Sequence, residues 1–328
     1  MRVSVAVPLH NEEQVLPELL QRVTAVLDGV PGGPHELIFV DDGSSDGTLL
    51  QLETAATRDS RIVVVSLSRN FGHQAALTAA LDQASGDATV VMDGDLQDRP
   101  EEIPRMLNKV GEGFDVVYAQ RVLRKEGPLL RLAYFVFYRF IASLSAIRLP
   151  VDAGDFSVMS RRVVDEIRRS PEHNRYLRGL RTWVGFRQTG ILVERAERAG
   201  GRSKYSFRGL LRLALDGIFA FSIAPLRAAT VIGAIAVLLS GLFTAYQIYA
   251  RLFLGRQPQG FTALIVVMTF LAGTNLFFMG VIGEYVGRVY EEAKARPLYV
   301  VSRLIRGRTE LDVAHAERRR PRAGGFDG

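Results

Sequence analysis

Along residues 1–120, short apolar runs alternate with stretches whose apolar positions recur every three or four residues. The runs at 3–7, 37–40, 62–67, 88–92 and 116–119 predict strands, and the stretches at 12–27, 46–56, 73–84 and 100–110 predict helices. Asn11 is placed to cap the first helix. The opening run is too short for the apolar part of a leader and reads as a buried strand. Strands alternating with helices predict parallel βαβ units covered on both faces, an α/β fold. Ligands of such sheets sit beyond the carboxyl ends of the strands. Two acidic turns, Asp41-Asp42-Gly43 and Asp93-Gly94-Asp95, fall at those ends.

Farther on the pattern changes. Residues 128–147 are apolar but carry Arg131 and Arg139, and 207–222 carry Arg208, Arg212 and Asp216. An arginine at mid-bilayer costs roughly 2.5–3.5 kcal/mol, so both stretches predict helices lying in a membrane interface. Residues 226–249 and 261–286 hold one charge each, Arg227 and Glu284. Each exceeds the roughly 20 residues that a bilayer requires. Joined through 250–260, they predict a transmembrane hairpin after a catalytic domain at 1–225. Only Arg251 and Arg256 lie at its tip, whereas Arg288, Lys294, Arg296, Arg303, Arg306 and Arg308 follow it. That bias predicts a cytoplasmic catalytic domain with both termini cytoplasmic, in a multi-pass protein of the inner membrane. The tail at 287–328 is charged and then glycine-rich, and its end is expected to be disordered.

The net charge of +6 favours anionic partners. Nucleic acid would account for the charge but not for the hairpin. With no cysteine, disulfides, thiolate metal sites and cysteine nucleophiles are excluded. The chain has no Gly-x-Gly-x-x-Gly after its first strand, no Gly-Lys-Ser/Thr loop and no His-Glu-x-x-His. Asp93 and Asp95 flank a glycine at a strand end, where both can approach one hard cation, Mg²⁺ or Mn²⁺, bridging a diphosphate. A solvated turn explains an isolated Asp-x-Asp as well. The preceding strand and the second acidic turn favour the cation. Asp41 and Asp42 can accept hydrogen bonds from a base or ribose, while part of the run through Ser45 and Asp46 caps a helix.

Four early segments resemble family 2 glycosyltransferases: Val7-Pro8-Leu9-His10-Asn11-Glu12-Glu13, Val40-Asp41-Asp42-Gly43-Ser44, Leu67-Ser68-Arg69-Asn70-Phe71-Gly72-His73 and Met92-Asp93-Gly94-Asp95-Leu96-Gln97-Asp98. With Asp152-Ala153-Gly154-Asp155-Phe156, Gly201-Arg202-Ser203-Lys204-Tyr205 and Ile282-Gly283-Glu284-Tyr285-Val286-Gly287-Arg288, the set is similar to the polyisoprenyl-phosphate glycosyltransferases, the subgroup of dolichol-phosphate mannose synthase and bactoprenol glucosyltransferases. The resemblance implies a GT-A catalytic domain. It places Pro8, His10, Glu12, Asp41, Asp42 and Asp93 at the nucleotide-sugar, His10 standing where many relatives carry tyrosine. It places Asp93 and Asp95 at the metal, Gln97 beside the sugar and Asp155 near the reacting centre. Arg202 and Lys204 would close over phosphates, with Arg121, Arg139 and Ser143 at the acceptor phosphate. Asp155, Asp95 and Gln97 are thus the expected catalytic residues.

The implied reaction is metal-dependent, inverting transfer of a hexose, glucose favoured, from a UDP-sugar to undecaprenyl or dolichyl-type phosphate. A GDP-mannose-dependent mannose synthase is the alternative. A processive polysaccharide synthase would carry Gln-x-x-Arg-Trp, and here Arg181-Thr182-Trp183 lacks the glutamine. A non-catalytic nucleotide-sugar-binding membrane scaffold would not need acidic residues at both turns. Expected partners are the nucleotide-sugar, the polyisoprenyl phosphate and membrane lipids, without nucleic acid. The hairpin glycines at 233, 241, 273, 280, 283 and 287 would also permit packing against a second copy.

Overall fold

The computed structural model describes residues 1–121, 153–172, 175–193, 224–253, 260–307 and 309–311. The chain divides into two compact units. The first is a sheet unit built from residues before the hairpin together with those from Arg296 onward. The expected interfacial helices near 128–147 and 207–222 lie outside the described residues, as does the end of the tail from 312 on.

Among the described residues the sheet has nine strands in the order β7-β5-β6-β4-β1-β2-β3-β8-β9. They are β1 (Val3–Leu9), β2 (Glu36–Asp41), β3 (Ile62–Leu67), β4 (Ala88–Val91), β5 (Val116–Arg121), β6 (Ala153–Ser160), β7 (Gln188–Val193), β8 (Val301–Arg306) and β9 (Thr309–Leu311). The helices of this unit are α1 (Leu16–Asp28), α2 (Thr48–Arg58), α3 (His73–Gln83), α4 (Ile103–Gly111), α5 (Arg161–Arg169) and α6 (Leu177–Trp183). A 3₁₀ turn, Pro100–Glu102, leads into α4.

Strands β1 to β4 are parallel to one another, as their continuous apolar runs predict. Side chains alternate between two cores. Val5, Val7, Leu37, Phe39, Val64 and Val90 face α1, α2 and α4, while Ala6, Ile38, Val40, Val63, Val65 and Val91 face α3, α5 and α6. Each fully buried aliphatic side chain contributes roughly 1.5–3 kcal/mol relative to leaving it in water.

The sheet is mixed rather than wholly parallel. β6 runs antiparallel to both β4 and β5, and β8 runs antiparallel to β3. The antiparallel β6 has a consequence for the site. Its amino end lies at the same sheet edge as the carboxyl ends of β4 and β5, so Asp155 meets Asp93 there. The segment after the hairpin is also not merely a tail. β8 buries Leu304 in the second core, and Tyr299 donates its hydroxyl to Asp82 Oδ2 at 2.6 Å. Its sequence hides this, because only one of its six side chains is fully buried.

Asn11 does not cap a helix. α1 begins at Leu16, with Val15 as its non-bonding cap, and Asn11 instead ties two loops together, with φ of 57°.

The second unit holds α7 (Ala224–Phe253) and α8 (Phe261–Ala293). Both outrun the expected spans. Stretches Ala229–Ala250 and Val267–Ala293 are long and apolar enough to cross a membrane. Their apolar side chains are exposed: Leu238 by 64%, Leu276 by 70% and Phe277 by 67%. Helices with such surfaces fit lipid rather than water.

Candidate active site

The site is assembled from loops at one edge of the sheet. The loops after β1 and β2 are bonded to each other. His10 Nδ1 lies 2.9 Å from Asp42 O, Asn11 N donates to Ser44 Oγ, and Asn11 Oδ1 accepts from Ser45 N. Glu12 N donates to Thr48 Oγ1, and Gly47 N to a Glu13 carboxylate oxygen. Asp46 Oδ1 accepts from Thr48 N, so part of the acidic run does serve the start of α2. Pro8, next to last in β1, is half-buried.

Asp41 and Asp42 are both buried, and each binds backbone. Asp41 Oδ1 accepts from Ser44 N. Asp42 accepts from Phe71 N at 2.7 Å and from Gly72 N at 2.9 Å, one bond to each oxygen. Asp42 therefore fixes the turn that delivers His73 as the first residue of α3. Gly43 permits the approach. Its φ is +63°, and an added Cβ would lie 2.5 Å from the carbonyl carbon of Arg69.

His73 Nε2 lies 3.2 Å from Asp93 Oδ1. One ligand atom from each of His73, Asp93 and Asp155 falls within 4.8 Å of the others. Two carboxylates and an imidazole gathered this closely are a candidate set for one divalent ion of the kind the family implies. The sequence placed the ion between Asp93 and Asp95. Asp95 is not in the gathered set; its Oδ1 accepts from Gln97 N at 3.2 Å.

Electrostatics separate the two gathered carboxyls. Burial, then the nearby Asp155 anion, pushes the Asp93 carboxyl above its ordinary range, with His73 opposing. Burial acts on Asp155 in the same sense, but the hydrogen bonds and charge of Arg178, with His73 and Arg181 adding to them, together outweigh it and hold that carboxyl low. Arg178 Nε and Nη2 each lie 2.6 Å from one Asp155 oxygen, forming a two-pronged fork. One turn on, Arg181 is 1% exposed. Its Nη2 donates to Gly154 O at 3.3 Å, and its guanidinium lies 5.4 Å from the centre of the Tyr118 ring. Burial pushes it down to about 10. Gln74 Oε1 accepts from Leu177 N at 3.0 Å and so joins the first turns of α3 and α6.

Asp93 and Asp155 thus meet, and His10, Asp41 and Asp42 lie at the ends of β1 and β2 and in the loops after them. Arg139, Ser143, Arg202 and Lys204 lie outside the described residues, and Arg121 ends β5 with only its backbone described. His73, Arg178 and Arg181 were not foreseen as site residues. His73 lay inside a segment quoted for the resemblance. The arginines' only signal was a three-residue spacing on one helical stretch.

Comparison with known proteins identifies the family. The profile of Glycosyl transferase family 2 matches residues 4–168, half of the chain. It includes the acidic residues of the site and His73 but stops before α6. Over 307 residues the chain is 43% identical to the uncharacterized glycosyltransferase YkcC of Bacillus subtilis, covering 92% of this chain and 94% of that one. It is 39% identical over 308 residues to the bactoprenol glucosyl transferase of Shigella phage SfII, covering 94% and 99%. Among solved structures, glucosyl-3-phosphoglycerate synthase from Mycobacterium tuberculosis matches with a TM-score of 0.46 and 20% identity, over 66% of this chain and 77% of that one. The chain belongs to glycosyl transferase family 2, with a GT-A catalytic domain, and is a glycosyltransferase.

Proposed function

We propose that the chain transfers a hexose, glucose from UDP-glucose, to a polyisoprenyl phosphate at the cytoplasmic face of the membrane. The observation that carries this reading is the nearly end-to-end likeness to bactoprenol glucosyl transferases, spanning the acidic site and both long apolar helices. Dual coverage matters, because the acceptor's tail costs about 0.8 kcal/mol per methylene to leave lipid.

The acceptor is a phosphate monoester whose second pKa is near 6, so at neutral pH its oxygen is a nucleophile without a base. A bond forms from that oxygen to the anomeric carbon, and the bond to the diphosphate oxygen breaks, its electron pair leaving with the nucleoside diphosphate. Attack opposite the leaving group inverts the carbon. Asp155, with both oxygens held by Arg178, orients donor or acceptor and takes no proton. His73, Asp93 and Asp155 would hold a divalent ion, which would supply positive charge against the diphosphate. Gln97 stands beside the sugar, and Asp95, on the same turn, would serve the ion with Asp93. Glu12, Asp41 and Asp42 shape the nucleotide pocket together with Pro8 and His10. Two unit charges 4 Å apart repel by about 4 kcal/mol at an effective dielectric of 20. Arg121, Arg139, Ser143, Arg202 and Lys204 offset that repulsion between the two phosphates.

The test is a product assay on the purified chain with undecaprenyl phosphate, Mg²⁺ or Mn²⁺, and UDP-glucose, UDP-N-acetylglucosamine or GDP-mannose in turn. Lipid-linked glucose is expected from UDP-glucose and is lost in Asp155→Asn. Lipid-linked mannose alone would make the donor GDP-mannose, and no lipid-linked product from any donor would refute the acceptor.

A further inference from the structure

Helix α6 brings two guanidinium groups to neighbouring residues of β6. Arg178 grips both carboxylate oxygens of Asp155, and Arg181 holds the carbonyl oxygen of Gly154. Arg181 is an expensive way to hold a carbonyl. It is 1% exposed, its Nε has no partner, and among the described residues it pairs with no carboxylate. An apolar side chain of similar length would fill the same space without burying a cation. Gln188 Nε2 donates to Arg181 O at 2.8 Å, which ties the end of this short helix to β7. Gln74, next to His73, holds its beginning. The helix is therefore anchored at both ends around the residues that reach Asp155.

We propose that α6 is the mount of Asp155, with Arg178 and Arg181 as positioning residues that set its carboxylate and backbone against Asp93 and His73. The proposal rests on the transfer reading above. It explains how two anionic side chains stay close in a folded chain: the fork neutralises one of them and fixes its direction. Neither arginine need touch substrate for this role.

The experiment uses the full chain in detergent, with Mn²⁺ affinity from the electron paramagnetic resonance of free Mn²⁺, thermal melting, and steady-state kinetics. Arg178→Gln removes a cation beside the site, and Mn²⁺ is expected to bind about fivefold tighter. Its kcat is expected to fall at least about thirtyfold, with the donor KM within about threefold of the parent. Arg178→Lys keeps the charge without the fork, so Mn²⁺ affinity stays near the parent's while kcat remains low. Arg181→Met is expected to melt no lower than the parent yet to lose at least about tenfold in kcat. A lysine that restores kcat would overturn the fork's role. A lower melting temperature in Arg181→Met with kcat unchanged would make that arginine structural. If the parent forms no lipid-linked product, the proposed function fails separately. Mn²⁺ affinity unchanged in Arg178→Gln, together with earlier melting of Arg181→Met, would then overturn the mount.

Discussion

The acidic site keeps carboxylates closer than stability favours. Asp93 has its affinity for a proton raised, first by burial and then by Asp155. In the metal-free chain the folded state therefore binds more protons than the unfolded state between the ordinary aspartate range and the raised value. Stability on this account is greatest below that window and falls as pH rises through it. Asp93→Asn removes the ionisation, so the metal-free variant is expected to melt about 2–4 °C higher at neutral pH, roughly 1 kcal/mol, while transfer is lost. Calorimetry in chelator at pH 5 and 7.5 checks it, and the gain should shrink at the lower pH. A variant melting lower than the parent at pH 7.5 would mean that Asp93 is a structural carboxylate. Asp93 was legible from its acidic turn at a strand end, and Asp155 only through the resemblance of its segment to the family. His73, Arg178 and Arg181 were hidden because their partners are distant in the chain and only folding aligns them. Asp42 was legible as a site residue, yet its bonds to Phe71 and Gly72 were not, since backbone partners leave no residue-type signal.

Elements are joined by buried polar brackets as well as by apolar faces. Glu36, at the start of β2, accepts from Ser4 Oγ on β1 and from Ser85 N and Oγ before β4, and pairs with Arg2. Burial alone would raise its pKa, but these donors together lower it. A depressed carboxyl contributes stability above its unfolded pKa and loses it as pH falls through the folded value. Glu36→Gln mismatches at least one donor and is expected to cost about 2–3 kcal/mol at pH 7, and less below pH 4. Equal loss at both pH values in urea melts would refute the ionised bracket. The first four strands were legible because parallel strands buried on both faces read as unbroken apolar runs. β8 was not, because an outer strand with one buried side chain reads like a charged tail. Leu304→Ala is nonetheless expected to cost about 2–4 kcal/mol, since that side chain fills the second core beside Val63 and Val65. A urea midpoint that did not move would mean that β8 adds nothing to the sheet unit.

At the scale of the whole molecule, the sheet unit is completed by residues that follow the hairpin: β8 adds to β3 only after the chain has passed through α7 and α8. A two-pass hairpin returns the chain to the side from which it left, whereas an odd number of crossings would put β8 across the bilayer from β3. The pairing of those strands therefore requires an even number of crossings wherever the helices span. On the proposed reading, the arginine bias sets the sheet unit on the cytoplasmic side and residues 254–259, between the helices, outside. The absence of cysteine makes this testable with single introduced thiols. Gln257→Cys, between the two helices in the sequence, is expected to react with a membrane-impermeant maleimide in intact spheroplasts. Leu50→Cys, 69% exposed on α2, should react only after lysis. The reverse pattern would invert the orientation. Labelling of both sites in intact spheroplasts would place residues 254–259 and the sheet unit on one side, so that neither long helix crosses, and the lipid acceptor would have to reach the site by another route.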